Sequence, residues 1–186
     1  MKAYSFLVVP LSISLLLAGT ARAEKSDQEL IAEAESAAPK AITAKAAIKT
    51  ADGKVLRKGS NGWTCYPGSK AIGPMCNQPQ WDAVLAALGE KKPVEVKELS
   101  VSYMLAGEGE ALGASNTDPF ATTPTDDNDW VKEGPHLMIL VPDAAILEGV
   151  STNPADPVYA MWKGTPYAHI MVKVGATGAA DMGRHH

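Results

Sequence analysis

Apolar and polar residues alternate with a period of two in several short runs along the chain, and with a helical period in one. "AAIKTADGKVLRKG" (46–59) sets two β-prone runs around Asp52-Gly53, which predicts a hairpin. "NGWTCYPG" predicts a short strand leading into a loop. In "NQPQWDAVLAALGEKK", Trp81, Val84, Leu85 and Leu88 fall on one helical face. Asn77 is the expected N-cap of that helix, Pro79 suits its first turn, and Gly89 is the expected terminator. In "VEVKELSVSYML" (94–105), Val94 and Val96 are in one phase and Leu99, Val101, Tyr103 and Leu105 in the other. That slip predicts a bulge or two shorter strands.

Residues 106–133 carry neither period, and so long an irregular stretch in a compact domain is often functional. "LMILV" (137–141) predicts a strand, "PDAAILEGV" a helical turn, and "VYAMWKGTPYAHIMVKV" a second hairpin. Near the front, Ser26 and Glu29 form a capping box for a helix over 24–38, which Pro39 ends. Its few apolar residues predict a marginal, loosely docked helix. Many short strands, hairpin connections and one good helix predict an α+β fold. We expect a single domain dominated by an antiparallel β-sheet, with one main helix and one local disulfide.

The first residues change the compartment. Lys2, the apolar stretch Phe6 to Ala18, and the small pair Ala21 and Ala23 predict a signal peptide over 1–23. The stretch is shorter than the ~20 residues that span a bilayer. The expected organisation is a 1–23 leader, a 24–45 helical segment and linker, a 46–175 disulfide-stapled domain, and a disordered tail over 176–186. The expected location is exported, periplasmic or secreted, with no membrane span once the leader is gone. Removing Lys2 and Arg22 with the leader takes the net charge from −4 to −6. That balance disfavours a nucleic-acid partner. Cys65 and Cys76 are the two cysteines, and in an oxidising compartment they predict a local disulfide. The spacing is not that of a C-x-x-C redox pair.

"NGWTCYPG", "GPMCNQPQW", "SYML", "GASNTDPFAT", "GPHLMILVP" and "MWKGTPYAHIMV" together resemble a family of small exported bacterial proteins with no assigned activity. The strings span about residues 61 to 174. The resemblance implies a secreted domain, and supplies no catalytic or binding residue.

"GPHLMILVP" and "TPYAHIMV" share His-x-Met, with the methionine two places after His136 and His169. In a strand such pairs share a face. Ala168, Ile170, Val172 and Val174 then make the expected core face of the later strand. Its His169 face, ending in Lys173, is expected to be half-buried. With a Gly164-Thr165-Pro166 loop, Met161 falls opposite His169 and Tyr159 opposite Met171. A strand through His136 and Met138 in the same sheet would extend the patch, and Tyr167 shares its face. Imidazole and thioether donors suit a soft metal, copper above all. Packing alone also explains methionines.

"SNTDPFATTPTDDNDW" offers Asp118, Asp126, Asp127, Asn128 and Asp129, oxygen ligands of the kind calcium takes, without the EF-hand order. An Asx-rich surface loop is the plainer reading, with Phe120 and Trp130 pinning it down or walling a pocket. No G-x-S-x-G, H-E-x-x-H or Walker motif occurs. The leading expectation is a non-catalytic module binding a small molecule or a protein, with Trp63, Trp130, Trp162 and Tyr167 around its pocket. A copper protein using His136 and His169 with Met138, Met161 and Met171 is the first alternative. A hydrolase pairing a histidine with a carboxylate such as Asp118 or Glu133 is the second.

Overall fold

The computed structural model describes residues 24–175. The expected leader and tail lie outside the described residues. The elements in chain order are α1 (Asp27–Glu35), α2 (Lys40–Thr43), β1 (Ala47–Lys49), β2 (Val55–Arg57), β3 (Thr64–Tyr66), β4 (Met75–Asn77), α3 (Pro79–Gly89) and β5 (Ser100–Met104). They continue with β6 (Ala114–Ser115), β7 (Trp130–Val131), β8 (His136–Leu140), a 3-10 turn (Ala144–Leu147), β9 (Val158–Met161) and β10 (His169–Lys173).

Eight strands form one sheet in the order β2-β1-β3-β4-β5-β8-β10-β9, and β6 and β7 form a separate ribbon. β1 and β3 pair in parallel, while the other pairs in the sheet are antiparallel. The sheet is therefore mixed rather than wholly antiparallel. Among the described residues the helices are few, and α3 is the longest of them. Among the described residues no helix is long and apolar enough to cross a membrane.

The disulfide joins Cys65 to Cys76, which face each other across the β3–β4 ladder. α1 keeps the expected capping box, with the Ser26 hydroxyl on the Glu29 amide and the Glu29 carboxylate on the Ser26 amide. The helix is docked, not loose. Ala34, Ala37 and Ala38 are buried in one cluster with Ile48 and the disulfide. Alanine allows the close approach that a bulkier apolar face would prevent.

Two local expectations shift. Asn77 does not cap α3; Gln78 is the N-cap residue, and Asn77 ends β4 instead. Its amide donates to the Asp82 carboxylate while its carbonyl accepts from Ser102 Oγ. Gly89 is still helical, and the left-handed residue beyond the helix is Lys91, at φ 53°. The slip between Val96 and Leu99 is no bulge. Residues 92–97 are irregular, tied down by Gln80, whose side chain bonds the backbone of Glu95 and Lys97.

The largest buried cluster lies on the sheet face that α3 covers. Trp81 and Val84 of α3 pack with Met104, Met138, Leu140, Tyr159, Met161 and Met171. This reverses the expected sidedness. His136, Met138, His169 and Met171 are buried, while Leu137, Ile139, Ile170 and Val172 on the opposite face are half-buried. The same inversion holds in β5, where Ser100 and Ser102 are buried and the neighbouring Leu99 is 62% exposed. Each strand has two chemically distinct faces, and the docking of α3 decides which one is interior.

Candidate functional site

Under α3 the sheet encloses a cavity of about 40 Å³. Its floor is a set of donors from four adjacent strands: Met104 of β5, His136 and Met138 of β8, Met171 and His169 of β10, and Met161 of β9. Met75 joins from β4, and Trp81, Leu85, Ala114, Val131 and Trp162 close the top and sides. Glu108 and Glu133 stand at one edge. The edge is drawn tight where Gly107, at φ 64°, meets Gly134. A Cβ there would sit 2.8 Å from the Gly134 backbone.

Strand register fixes the floor. Met161 faces His169 and Tyr159 faces Met171, as the hairpin reading expects. Met138 faces Met171, and His136 faces Lys173. On the other side of β8, Met104 faces His136 and Ser102 faces Met138. The two histidines are thus four residues out of step on neighbouring strands, roughly 13 Å along the strand direction.

Both imidazoles are prepared in the same way. His136 Nδ1 lies 2.7 Å from Gly134 O, and His169 Nδ1 lies 3.0 Å from Tyr167 O. A carbonyl only accepts, so each Nδ1 carries the proton and each Nε2 presents its lone pair. His169 Nε2 is buried and has no hydrogen-bond partner among the described residues. Burial is the main reason its pKa falls to about 4; the bond with Tyr167 opposes the shift and His136 adds to it. His136 is also held below the usual histidine range, chiefly by burial. The rings are neutral at physiological pH. His169 sits between the edges of Trp81 and Trp162, each centroid 5.0 Å away. Those indoles are themselves fixed, Trp81 Nε1 donating to Ser100 O and Trp162 Nε1 to Ser115 O.

Near His136 the chemistry is different. Glu133 accepts from the Tyr159 hydroxyl at 3.0 Å and pairs with Lys173 at 3.3 Å. Glu108 is buried and accepts the Gly73 amide at 2.6 Å, and burial raises its pKa. No carboxylate is hydrogen-bonded to either imidazole among the described residues, since both Nδ1 atoms go to carbonyls.

Of the aromatic residues expected around the pocket, Trp162 lines the cavity. Trp63 packs against Tyr103, with ring centroids 5.5 Å apart, beside the disulfide cluster. Trp130 lies in the β6–β7 ribbon and donates to Leu112 O. Tyr167 is buried beside the cavity, with its hydroxyl on Lys92 O and its ring against Phe120. Phe120 thereby pins the acidic loop, with Lys91 over its ring. Asp118, Asp127 and Asp129 are engaged by the Phe120 amide, the Thr125 hydroxyl and the Asn116 amide respectively. Among the described residues no three His, Cys, Asp or Glu side chains cluster as metal ligands. Any metal chemistry therefore rests on thioethers beside imidazole.

Met75, Met104, Trp81 and Glu108 line the cavity without having been singled out as site residues by sequence reasoning. Met104 had a usable signal. It shares the phase of Ser100 and Ser102, and that phase reads as the outer face until the helix is placed. Comparison with protein-family models, with curated proteins and with solved structures returns no match.

Proposed function

We propose that this is an exported binding protein for a soft metal ion, cuprous copper in the first instance, held in the histidine–methionine cavity beneath α3. The observation that carries the reading is the buried, unpartnered Nε2 of His169, turned out in its lone-pair form among thioethers. Leaving such an atom unpaired costs about 1–3 kcal/mol, a penalty a bound ion removes. A neutral imidazole whose Nδ1–H is held by a backbone carbonyl is the usual state of a metal-ligating histidine. Thioether sulfur selects soft, monovalent copper over hard cations. Cavity size favours an ion over an organic ligand: about 40 Å³ falls well below the ~300 Å³ at which small-molecule pockets begin. The disulfide and the leader-like first residues agree with an oxidising compartment.

The test is a Cu(I) titration against a chromogenic chelator, with ascorbate as reductant so that the disulfide stays closed. His185 and His186 are changed to alanine throughout, because an adjacent histidine pair can bind metal by itself. Binding tighter than micromolar is expected, and its loss in His136→Leu/His169→Leu. Equal, weak binding by both proteins overturns the reading.

A further inference from the structure

The echo of His-x-Met becomes a symmetry in the sheet. β8 and β10 are antiparallel with Met138 facing Met171, so a local two-fold axis passes between those methionines. It carries His136 onto His169, each two residues before its methionine. It also carries β5 onto β9, and so Met104, which faces His136, onto Met161, which faces His169. The histidine ties follow the same relation. Each Nδ1 bonds the carbonyl two residues earlier in its own chain segment, Gly134 in one case and Tyr167 in the other.

Building on the soft-metal reading, we infer that the cavity holds two ions in two half-sites related by this axis: His136 with Met104 and Met138, and His169 with Met161 and Met171. Each half-site offers one imidazole and two thioethers. That is a three-donor set without a carboxylate, suited to a monovalent d¹⁰ ion. The four-residue offset between the histidines, roughly 13 Å of strand, sets the sites apart. Each imidazole is tied by Nδ1 to a carbonyl of its own chain segment, which leaves Nε2 as the ligating atom in both half-sites. The alternative is a single ion on the axis, taken by Met138, Met171 and both histidines. That arrangement would leave Met104 and Met161 without a role, although each faces a histidine directly.

Stoichiometry separates the two arrangements. Cu(I) and, separately, Ag(I) are titrated into the full chain carrying the His185→Ala/His186→Ala background. The expected capacity is two equivalents, falling to one in His136→Leu and to one in His169→Leu. Met104→Leu and Met161→Leu preserve side-chain volume and keep the test open if a histidine variant does not fold. Each should weaken one of the two binding steps at least tenfold and leave the other unchanged. One equivalent in the unsubstituted protein, abolished by either histidine change, overturns the two-site arrangement while leaving the soft-metal reading standing. So does a failure of Met104→Leu and Met161→Leu to move either step. No binding at all overturns both.

Discussion

Trp81 and His169 meet edge to face, with ring centroids 5.0 Å apart and planes at 78°. The contact makes the indole a reporter of whatever happens at the imidazole. An ion on His169 Nε2 should quench the emission of Trp81 and of Trp162, which stands at the same distance. Ag(I) added to His169→Leu should quench far less than in the unsubstituted protein. Equal quenching in both would place the ion elsewhere.

Acid should destabilise the fold through this ring. His169 titrates at about 4 in the folded chain, against about 6.5 when unfolded. The unfolded state therefore binds the proton first, and the stabilisation present above pH 6.5 is lost as pH falls to about 4. A tenfold difference in proton affinity between the two states is worth about 1.4 kcal/mol, so the loss is roughly 3 kcal/mol. His136 acts in the same direction, its pKa also being lowered. Glu108 and Asp82, with raised values, act in the opposite direction. Urea denaturation at pH 7 and pH 4.5 should give a smaller difference in His169→Leu than in the unsubstituted protein. The same difference in both would remove His169 as the cause.

Lys173 and Glu133 form an ion pair with little exposure, 22% and 11% for the two side chains. Lys173→Met leaves the carboxylate with only the Tyr159 hydroxyl, and should cost roughly 2–4 kcal/mol, since an uncompensated buried charge is expensive. Adding Glu133→Gln should recover part of that loss. A double-mutant cycle from chemical denaturation reads the coupling, and strict additivity would show that the pair is energetically idle.

Met138 and Met171 separate packing from binding. Leucine at both positions conserves volume, so each change should cost less than about 1.5 kcal/mol in the metal-free protein. Cu(I) affinity should nevertheless fall at least tenfold. Unchanged affinity would reduce these methionines to core filling.

Replacing Cys65 and Cys76 together by alanine should cost about 2–4 kcal/mol. The bridge joins β3 to β4 and is packed under α1, so thermal unfolding should shift downward with α1 intact at low temperature. Loss of α1 helicity before the main transition would show the bridge to be a docking surface more than a staple.

Much of the local structure was legible in the chain. The Ser26–Glu29 capping box, the Asp52-Gly53 turn, the Trp81 helix face and the Met161–His169 register all depend on neighbours within a few residues. Sidedness was not legible. Ala168, Ile170, Val172 and Val174 read as interior, yet the first three are half-buried and Val174 is exposed, and Leu137 and Ile139 of the neighbouring strand are half-buried with them. Asn77, Ser100 and Ser102 are polar, yet they are buried. Asn77 and Ser102 bond each other, and the Ser100 carbonyl takes the Trp81 indole.

The sequence by itself determined that His136 and Met138 share a face, and that His169 and Met171 do, because a strand's side chains repeat every two residues. It also determined the paired cysteines and the donor chemistry. Only the tertiary structure decided that both histidine faces point inward, that β8 and β10 are neighbours with Met138 against Met171, and that Met104 completes the set from β5. The reason is physical. Periodicity is a property of each strand, whereas burial and partner choice depend on long-range packing, here the docking of α3 and Trp162 over one face of a sheet with two plausible interiors.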